Sequence, residues 1–343
     1  MKLGITGLPG SGKTTIFEAL TQIFSDSGNK SENRVNTTSV PDSRIDVLSG
    51  MYNPQKTIFA QVQYFLPGML AHHKEKSDDN LWTQVRDCDA LIHVVRNFRG
   101  PGLEEPRPHQ DFSRLDQELI FADLVVAEKR IERMESEKKR GRKINDEEFS
   151  LLSKCLKNFE NEKPLRKVPE LATAQLLKGF AFLSARPEIA LFNNEDDDQE
   201  IPEPRDTGTK ENCMVMRGKL EHEIARMSAE EADEFLKEFN IKDSAKNRVI
   251  KQSYDLLGLI SFFTVGEDEV RAWTIKKGTS ALDAAGAIHT DFKKGFIRAE
   301  VVSYEDLIDA KTYPEARKRG KVRLEGKTYP VQDGDIINFR FNV

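Results

Sequence analysis

Near the start of the chain, Gly7-Leu8-Pro9-Gly10-Ser11-Gly12-Lys13-Thr14 completes a GxxxxGK[ST] pattern. Residue types in this order can hold phosphate. Glycines let the main chain come close, so successive N–H groups converge on phosphate oxygens at the start of a helix. A lysine placed like Lys13 neutralises the β and γ phosphates, and a hydroxyl placed like Thr14 coordinates Mg²⁺. The candidate nucleotide-contacting set is therefore Gly7, Leu8, Pro9, Gly10, Ser11, Gly12, Lys13, Thr14 and Thr15, with Thr14 as the candidate metal ligand.

Such a loop needs a strand before it and a helix after it. Residues 2–6 read as a short buried strand, and Ile16, Phe17, Leu20 and Phe24 recur at helical spacing. Apolar runs at 61–66, 90–95 and 189–192 resemble further buried strands, separated by segments long enough for crossover helices. This predicts an α/β sheet. Between the runs at 90–95 and 189–192 lies a charged insert in which Ile120, Leu124, Ala127, Ile131 and Met134 form one apolar seam and Phe149, Leu152, Leu156 and Phe159 form another. A helical hairpin accounts for both, and two ordinary amphipathic core helices are the alternative. Helical patterning returns over residues 228–257. Past Phe262 come short alternating stretches punctuated by Gly278, Gly326 and Gly334, which predict a small α+β domain.

The 52 Lys and Arg against 57 Asp and Glu leave a formal charge of −5, which argues against whole-molecule wrapping by nucleic acid. Three scattered cysteines, Cys88, Cys155 and Cys213, supply neither a disulfide framework nor metal-site spacing. No apolar stretch approaches the roughly 20 residues that span a bilayer. A cytoplasmic protein without a membrane partner is expected.

The loop, the stretches at 86–96 and 269–279, and the C-terminal segments at 284–292, 295–300 and 332–341 together resemble the YchF/Obg-like ATPase family. The resemblance is densest over residues 254–343 and loosest between 25 and 85. It implies a Ras-like P-loop NTPase sheet with an inserted α-helical hairpin and a C-terminal α+β domain of TGS-like, β-grasp type. The corresponding division is 1–112 and 180–258 for the nucleotide domain, 113–179 for the hairpin and 259–343 for the TGS-like domain. It also implies Mg²⁺ with GTP or ATP, and association with the ribosome.

Several positions depart from that pattern. The turn glycine of a DxxG motif survives as Gly68, but Phe65 stands where an aspartate would orient metal-bound water. Met69 and Leu70 follow Gly68, so no water-orienting glutamine is present; His72, His73 and His109 are weak substitute candidates. Thr37 and Thr38 precede Pro41-Asp42-Ser43-Arg44, which resembles the family's PDPR motif, and neither is assigned as a switch threonine. Asn193-Asn194-Glu195-Asp196 falls where the family carries its base-reading NxxE and other GTPases carry NKxD. Asp196 suits the N1 and N2 donors of guanine, Asn194 replaces the customary lysine, and an acidic loop is the competing assignment. Arg217-Gly218-Lys219 replaces the family's small-residue pair at the later base loop.

Lys138, Lys139, Arg140, Arg142 and Lys143 cluster around Gly141 at the turn of the expected hairpin. A charge run there is either a solvated turn or a contact for RNA phosphates. The expected function is a regulatory NTPase of low turnover acting in translation or stress response. A nucleotide-binding adaptor without significant hydrolysis competes with it, and a small-molecule kinase is a weaker third.

Overall fold

The computed structural model describes residues 1–24, 32–68, 82–100, 102–202, 212–238 and 244–342. In chain order the main elements are β1 (Lys2–Thr6), α1 (Lys13–Thr21), β2 (Arg34–Ser39), α2 (Ser43–Tyr52), β3 (Lys56–Ile58), β4 (Gln61–Leu66) and β5 (Ala90–Asn97). There follow α3 (Pro108–Lys139), α4 (Asp146–Glu160), β6 (Glu188–Asn194), β7 (Cys213–Met216), α5 (Gly218–Ile224), α6 (Ala229–Glu238) and α7 (Ala245–Leu256). The last part comprises β8 (Leu259–Val265), β9 (Glu269–Lys276), α8 (Ala281–Ile288), β10 (Phe296–Ser303), β11 (Arg323–Glu325) and β12 (Asp335–Phe341). They form two compact units, Met1–Thr37 with Gln63–Val249 and Thr38–Val62 with Ile250–Val343.

The first unit is built on a sheet of order β2-β4-β1-β5-β6-β7, in which β4, β1, β5, β6 and β7 run parallel. Parallel strands covered on both faces carry continuous apolar runs, and β6 is buried along its whole length. β1 lies between β4 and β5; the chain leaves it for the β2–β4 side and later crosses to the β5–β7 side, so the carboxyl end of β1 is a topological switch point, where open α/β sheets bind ligands. The glycine loop lies there.

The helical hairpin is present. Pro108 opens α3, where its missing N–H costs nothing, so the helix starts ahead of residue 113. At 32 residues α3 spans about 48 Å. Asn145 caps α4 by accepting from Glu147 and Glu148 N–H, and Arg130 joins the helices through both oxygens of Glu148 at 2.8 and 3.1 Å. Ile120, Ala127 and Met134 are buried as the seam predicts, but on α4 the buried set is Leu152, Cys155 and Phe159; Leu156 is only half-buried. The fully buried Asp123 pins α3 to the sheet unit, accepting from Leu183 N–H at 3.0 Å, Ser184 N–H at 2.7 Å and Arg86 Nη1 at 2.8 Å.

In the second unit the sheet order is β11-β10-β12-β8-β9-β3, with α8 laid on it through Ala281, Ala284 and Ala285. The edge strand β3 comes from early in the chain and pairs parallel to β9, a pairing that the sequence reading did not anticipate. Asp42 caps α2 through Arg44 N–H, and the Arg44 side chain reaches Asp333 at 2.7 Å while lying 5.2 Å from the Phe263 ring. Asp333 in turn accepts from Ser261 N–H at 2.9 Å. The motif at 41–44 therefore ties the early segment into this unit. Among the described residues no helix is long and apolar enough to cross a membrane.

Candidate functional site

Positive φ at Gly10 (79°) and Gly12 (90°) turns the chain from β1 into α1. At Gly12 a glycine is required for a second reason, because any Cβ there would collide with the Asn193 amide. Gly218 approaches Asn193 from the other side, where a Cβ would lie 2.5 Å from its Oδ1. Asn193, 4% exposed near the end of β6, fills the space between them. Its Nδ2 donates to the Ser11 carbonyl at 3.0 Å, and its Oδ1 accepts from Gly218 N–H at 3.0 Å. The phosphate loop is thereby held from behind by the strand expected to read the base.

Lys13 lies across the loop, donating from Nζ to the Gly7 carbonyl at 2.7 Å and the Leu8 carbonyl at 2.9 Å. Burial lowers its pKa to about 8, and the Glu118 carboxylate on α3 partly offsets this. A desolvated ammonium attracts an anion that can restore its lost solvation. Thr14 is exposed on the first turn of α1, whereas the Ser11 hydroxyl is buried with no partner among the described residues. Both are compatible with incoming polar groups.

The remaining base-side residues divide into buried and exposed. Asn194 is 3% exposed, donates to the Glu200 carbonyl at 2.8 Å and accepts from Asn97 Nδ2 at 3.1 Å, so it shapes the loop rather than facing a base. β6 runs two residues further than residue 192, which draws Asn193 and Asn194 into the sheet. Asp196 is exposed; one oxygen accepts from Leu220 N–H at 3.2 Å and the other lies 3.8 Å from Lys219 Nζ. The cation missing at Asn194 is thus supplied beside Asp196 from the first turn of α5. Only the presence of Lys219 in the base-loop segment hinted at this. Glu221, from the same segment, is buried and accepts from the Ala245 and Lys246 N–H groups, capping α7.

Phe65 is 3% exposed and packs with Trp82, Val85, Cys88 and Leu91, with Lys2 Nζ 4.0 Å above its ring. The departure from DxxG is thus built into the core. Gly68 N–H donates to Asn33 Oδ1 at 2.8 Å. Thr37 and Thr38 lie within β2. His109 sits in the first turn of α3, its Nδ1 shielded and unpartnered among the described residues; His72 and His73 lie outside the described residues. Among the described residues no cluster of three or more His, Cys, Asp or Glu could hold a metal by itself. Lys138, Lys139, Arg140, Arg142 and Lys143 are all exposed at the hairpin turn, without an ion pair to any described residue.

A parallel sheet with a GxxxxGKT loop at its switch point, continued by a separate mixed sheet, defines a P-loop NTPase fold with a C-terminal domain. The C-terminal model of YchF-type GTPases, described as a protein of unknown function (DUF933), matches residues 259–342. The chain is 40% identical over 363 residues to the ribosome-binding ATPase YchF of Bacillus subtilis, covering 99% of each chain. It is 37% identical to the protein of the same name from Escherichia coli O157:H7, covering 100% of this chain and 99% of that one. The structure of the Schizosaccharomyces pombe YchF GTPase superposes with a TM-score of 0.85 at 30% identity, covering 99% of this chain and 97% of that one. The chain belongs to the YchF family.

Proposed function

We propose that the protein is a Mg²⁺-dependent, ATP- or GTP-binding NTPase of low intrinsic turnover that acts on the ribosome, in translation or stress response, in the cytoplasm. The observation that carries nucleotide binding is the loop itself: Lys13 desolvated over the Gly7 and Leu8 carbonyls and Asn193 bracing Ser11 from behind. The relatives in Bacillus subtilis and Escherichia coli, named ribosome-binding ATPases, and the GTPase of Schizosaccharomyces pombe support the same activity and partner.

Phosphate oxygens would meet the loop N–H groups and the Lys13 ammonium. Mg²⁺ fits Thr14, an exposed residue at the start of α1; bound with phosphates and water, the ion needs only one or two protein oxygens. Its role is to neutralise charge on the triphosphate. Asp196 and Lys219 would face the base, while Asn193 and Asn194 hold the loops. The hairpin tip and a TGS-like domain over residues 259–343 would contact the ribosome, with 1–112 and 180–258 as the nucleotide domain and 113–179 as the hairpin.

The burial of Phe65 favours a second reading, an adaptor that binds nucleotide without significant hydrolysis. Calorimetric titration of ATP, GTP and their diphosphates, followed by single-turnover hydrolysis, separates the two. Unaltered binding of Mg-nucleotide by Lys13→Ala would overturn the nucleotide-site assignment.

A further inference from the structure

Where the base of the hairpin meets β6, the first unit holds a cavity of about 1010 Å³ that no residue of the phosphate loop lines. This lies at the upper end of the size range of small-molecule sites. Its charge is opposite to that of the chain. Arg166, Lys167, Lys178 and Arg186 line it against one carboxylate, Glu188, although the protein as a whole carries −5.

Glu188 is already engaged. Its side chain is 4% exposed, with Oε1 2.9 Å from His93 Nδ1 and Oε2 at ion-pair distance, 2.8 Å, from Arg166 Nη2. Arg166 also pairs with Asp116, so two carboxylates balance this one guanidinium. Arg186 differs. Its Nη2 donates to the Arg86 carbonyl at 2.8 Å, but its Nε is buried and has no acceptor among the described residues. That nitrogen is closed to the cavity, so a ligand would meet Arg186 through the rest of its guanidinium. Lys167 and Lys178 are exposed at the rim, with no ion pair to a described residue.

The remaining wall is apolar. Phe112 lines the cavity and stacks on His93 with centroids 4.7 Å apart. Phe182 lies edge-on to Phe159 at 5.6 Å and stacked with Phe180 at 5.4 Å, which fixes its ring as a rigid surface. A guanidinium in the wall, two exposed lysines and fixed aromatic rings suit a ligand with a charged head and an apolar body.

We propose that this cavity binds a small amphiphilic oxyanion, a carboxylate or phosphate head received by Arg186 with Lys178 beside it, and an aliphatic or aromatic body against Phe112 and Phe182. The site is distinct from the phosphate loop and does not depend on the nucleotide function proposed above.

The probe is 8-anilinonaphthalene-1-sulfonate, titrated by fluorescence into the full-length protein and into Lys13→Ala. One saturable site with equal affinity in both proteins is expected; loss of binding in Lys13→Ala would assign the probe to the phosphate loop and overturn the proposal. Lys178→Glu, at an exposed position whose side chain makes no ion pair among the described residues, should weaken binding at least fivefold, and Arg186→Gln at least tenfold. Ala172→Trp, which projects an indole into the cavity from the short helix Pro169–Ala172, should weaken it at least fivefold. Octanoate or phenyl phosphate should displace the probe, and the better competitor identifies the head group; octanol should not. Parent-like binding by Lys178→Glu and Ala172→Trp, both with unchanged circular dichroism melts, overturns the proposal. So does displacement by octanol as effective as by octanoate.

Discussion

Asn193 and Ser11, 182 residues apart in sequence, are joined by a hydrogen bond of 3.0 Å from the asparagine amide to the serine carbonyl. The other end of the same amide accepts from Gly218 N–H, so one buried side chain sets the spacing between the phosphate loop and the base loop. Asn193→Ala strands a buried carbonyl and a buried N–H, at a cost of about 1–3 kcal/mol. It should lower the melting temperature and weaken Mg-nucleotide binding roughly tenfold. Asn193→Asp keeps the acceptor for Gly218 but places a carboxylate against the Ser11 carbonyl, and should be no better. Thermal melts and calorimetry on the two variants check this.

The lowered pKa of Lys13 gives opposite pH dependences to binding and stability. With a folded value of about 8 against an ordinary 10.5, the unfolded chain binds more protons between these limits, so this group's contribution to stability rises with pH across that window. Nucleotide phosphates favour the charged ammonium. Binding should therefore take up a proton above pH 8, and affinity should fall by up to about tenfold per pH unit. Calorimetry at pH 8.5 in two buffers of different ionisation enthalpy measures the uptake, and Lys13→Ala should abolish it.

Asp196 has one oxygen on Leu220 N–H and the other near Lys219, so only part of its acceptor capacity is left for a base. A guanine preference through it should be small. Asp196→Ala is expected to shift the GTP/ATP affinity ratio about three- to tenfold towards ATP, equivalent to roughly 0.7–1.4 kcal/mol. An unchanged ratio in side-by-side titrations would remove Asp196 from base selection.

Restoring the absent aspartate by Phe65→Asp should destabilise the protein without accelerating hydrolysis. The site is a packed apolar cluster, and replacing a phenyl ring by a carboxylate there loses about 3–5 kcal/mol of packing, with desolvation of the charge in addition. Turnover by the parent should lie below the ~1–100 s⁻¹ of kinases and near unassisted GTPase rates. A stable, faster Phe65→Asp enzyme would show that the metal site is within reach of this position.

At the hairpin tip, five cations without an ion pair among the described residues stand at the far end of a helix about 48 Å long. If four or five ribosomal phosphates are engaged, ribosome binding should show a log–log salt slope of about −3 to −4.5. Replacing Lys138, Lys139, Arg140, Arg142 and Lys143 by glutamine should flatten that slope and leave nucleotide affinity unchanged. Co-sedimentation across a salt series reads both proteins.

What was legible in the sequence is what depends on neighbours in the chain. The glycine loop, the strand before it and the helix after it are local, and the apolar seams of the hairpin are periodic. Cys155 takes the buried place of Leu156 because helix rotation is settled by the facing helix, not by hydrophobicity alone. Asn194 read as a base-loop residue because its side chain is polar; nothing in its own segment shows that Asn97 waits to pair with it. The cation at Lys219 was hidden for the same reason, since it reaches Asp196 from 23 positions away. Three-residue β3 carries too short a pattern to be seen, and its partner lies 213 residues later.

That pairing bears on how the protein is made. Lys56 and its neighbours leave the ribosome long before Glu269, against which they must be laid, and Arg44 precedes Asp333 by 289 residues. At ~5–20 residues per second the early segment waits roughly 10 to 60 s with an open strand edge and with Arg44 lacking Asp333, its local partner Asp42 already in place, while the glycine loop and its helix can already form. The second unit therefore closes last. Its completion is a late synthetic event, which makes truncation anywhere after β9 a defect felt at residues 38–62 as well as at the C-terminus.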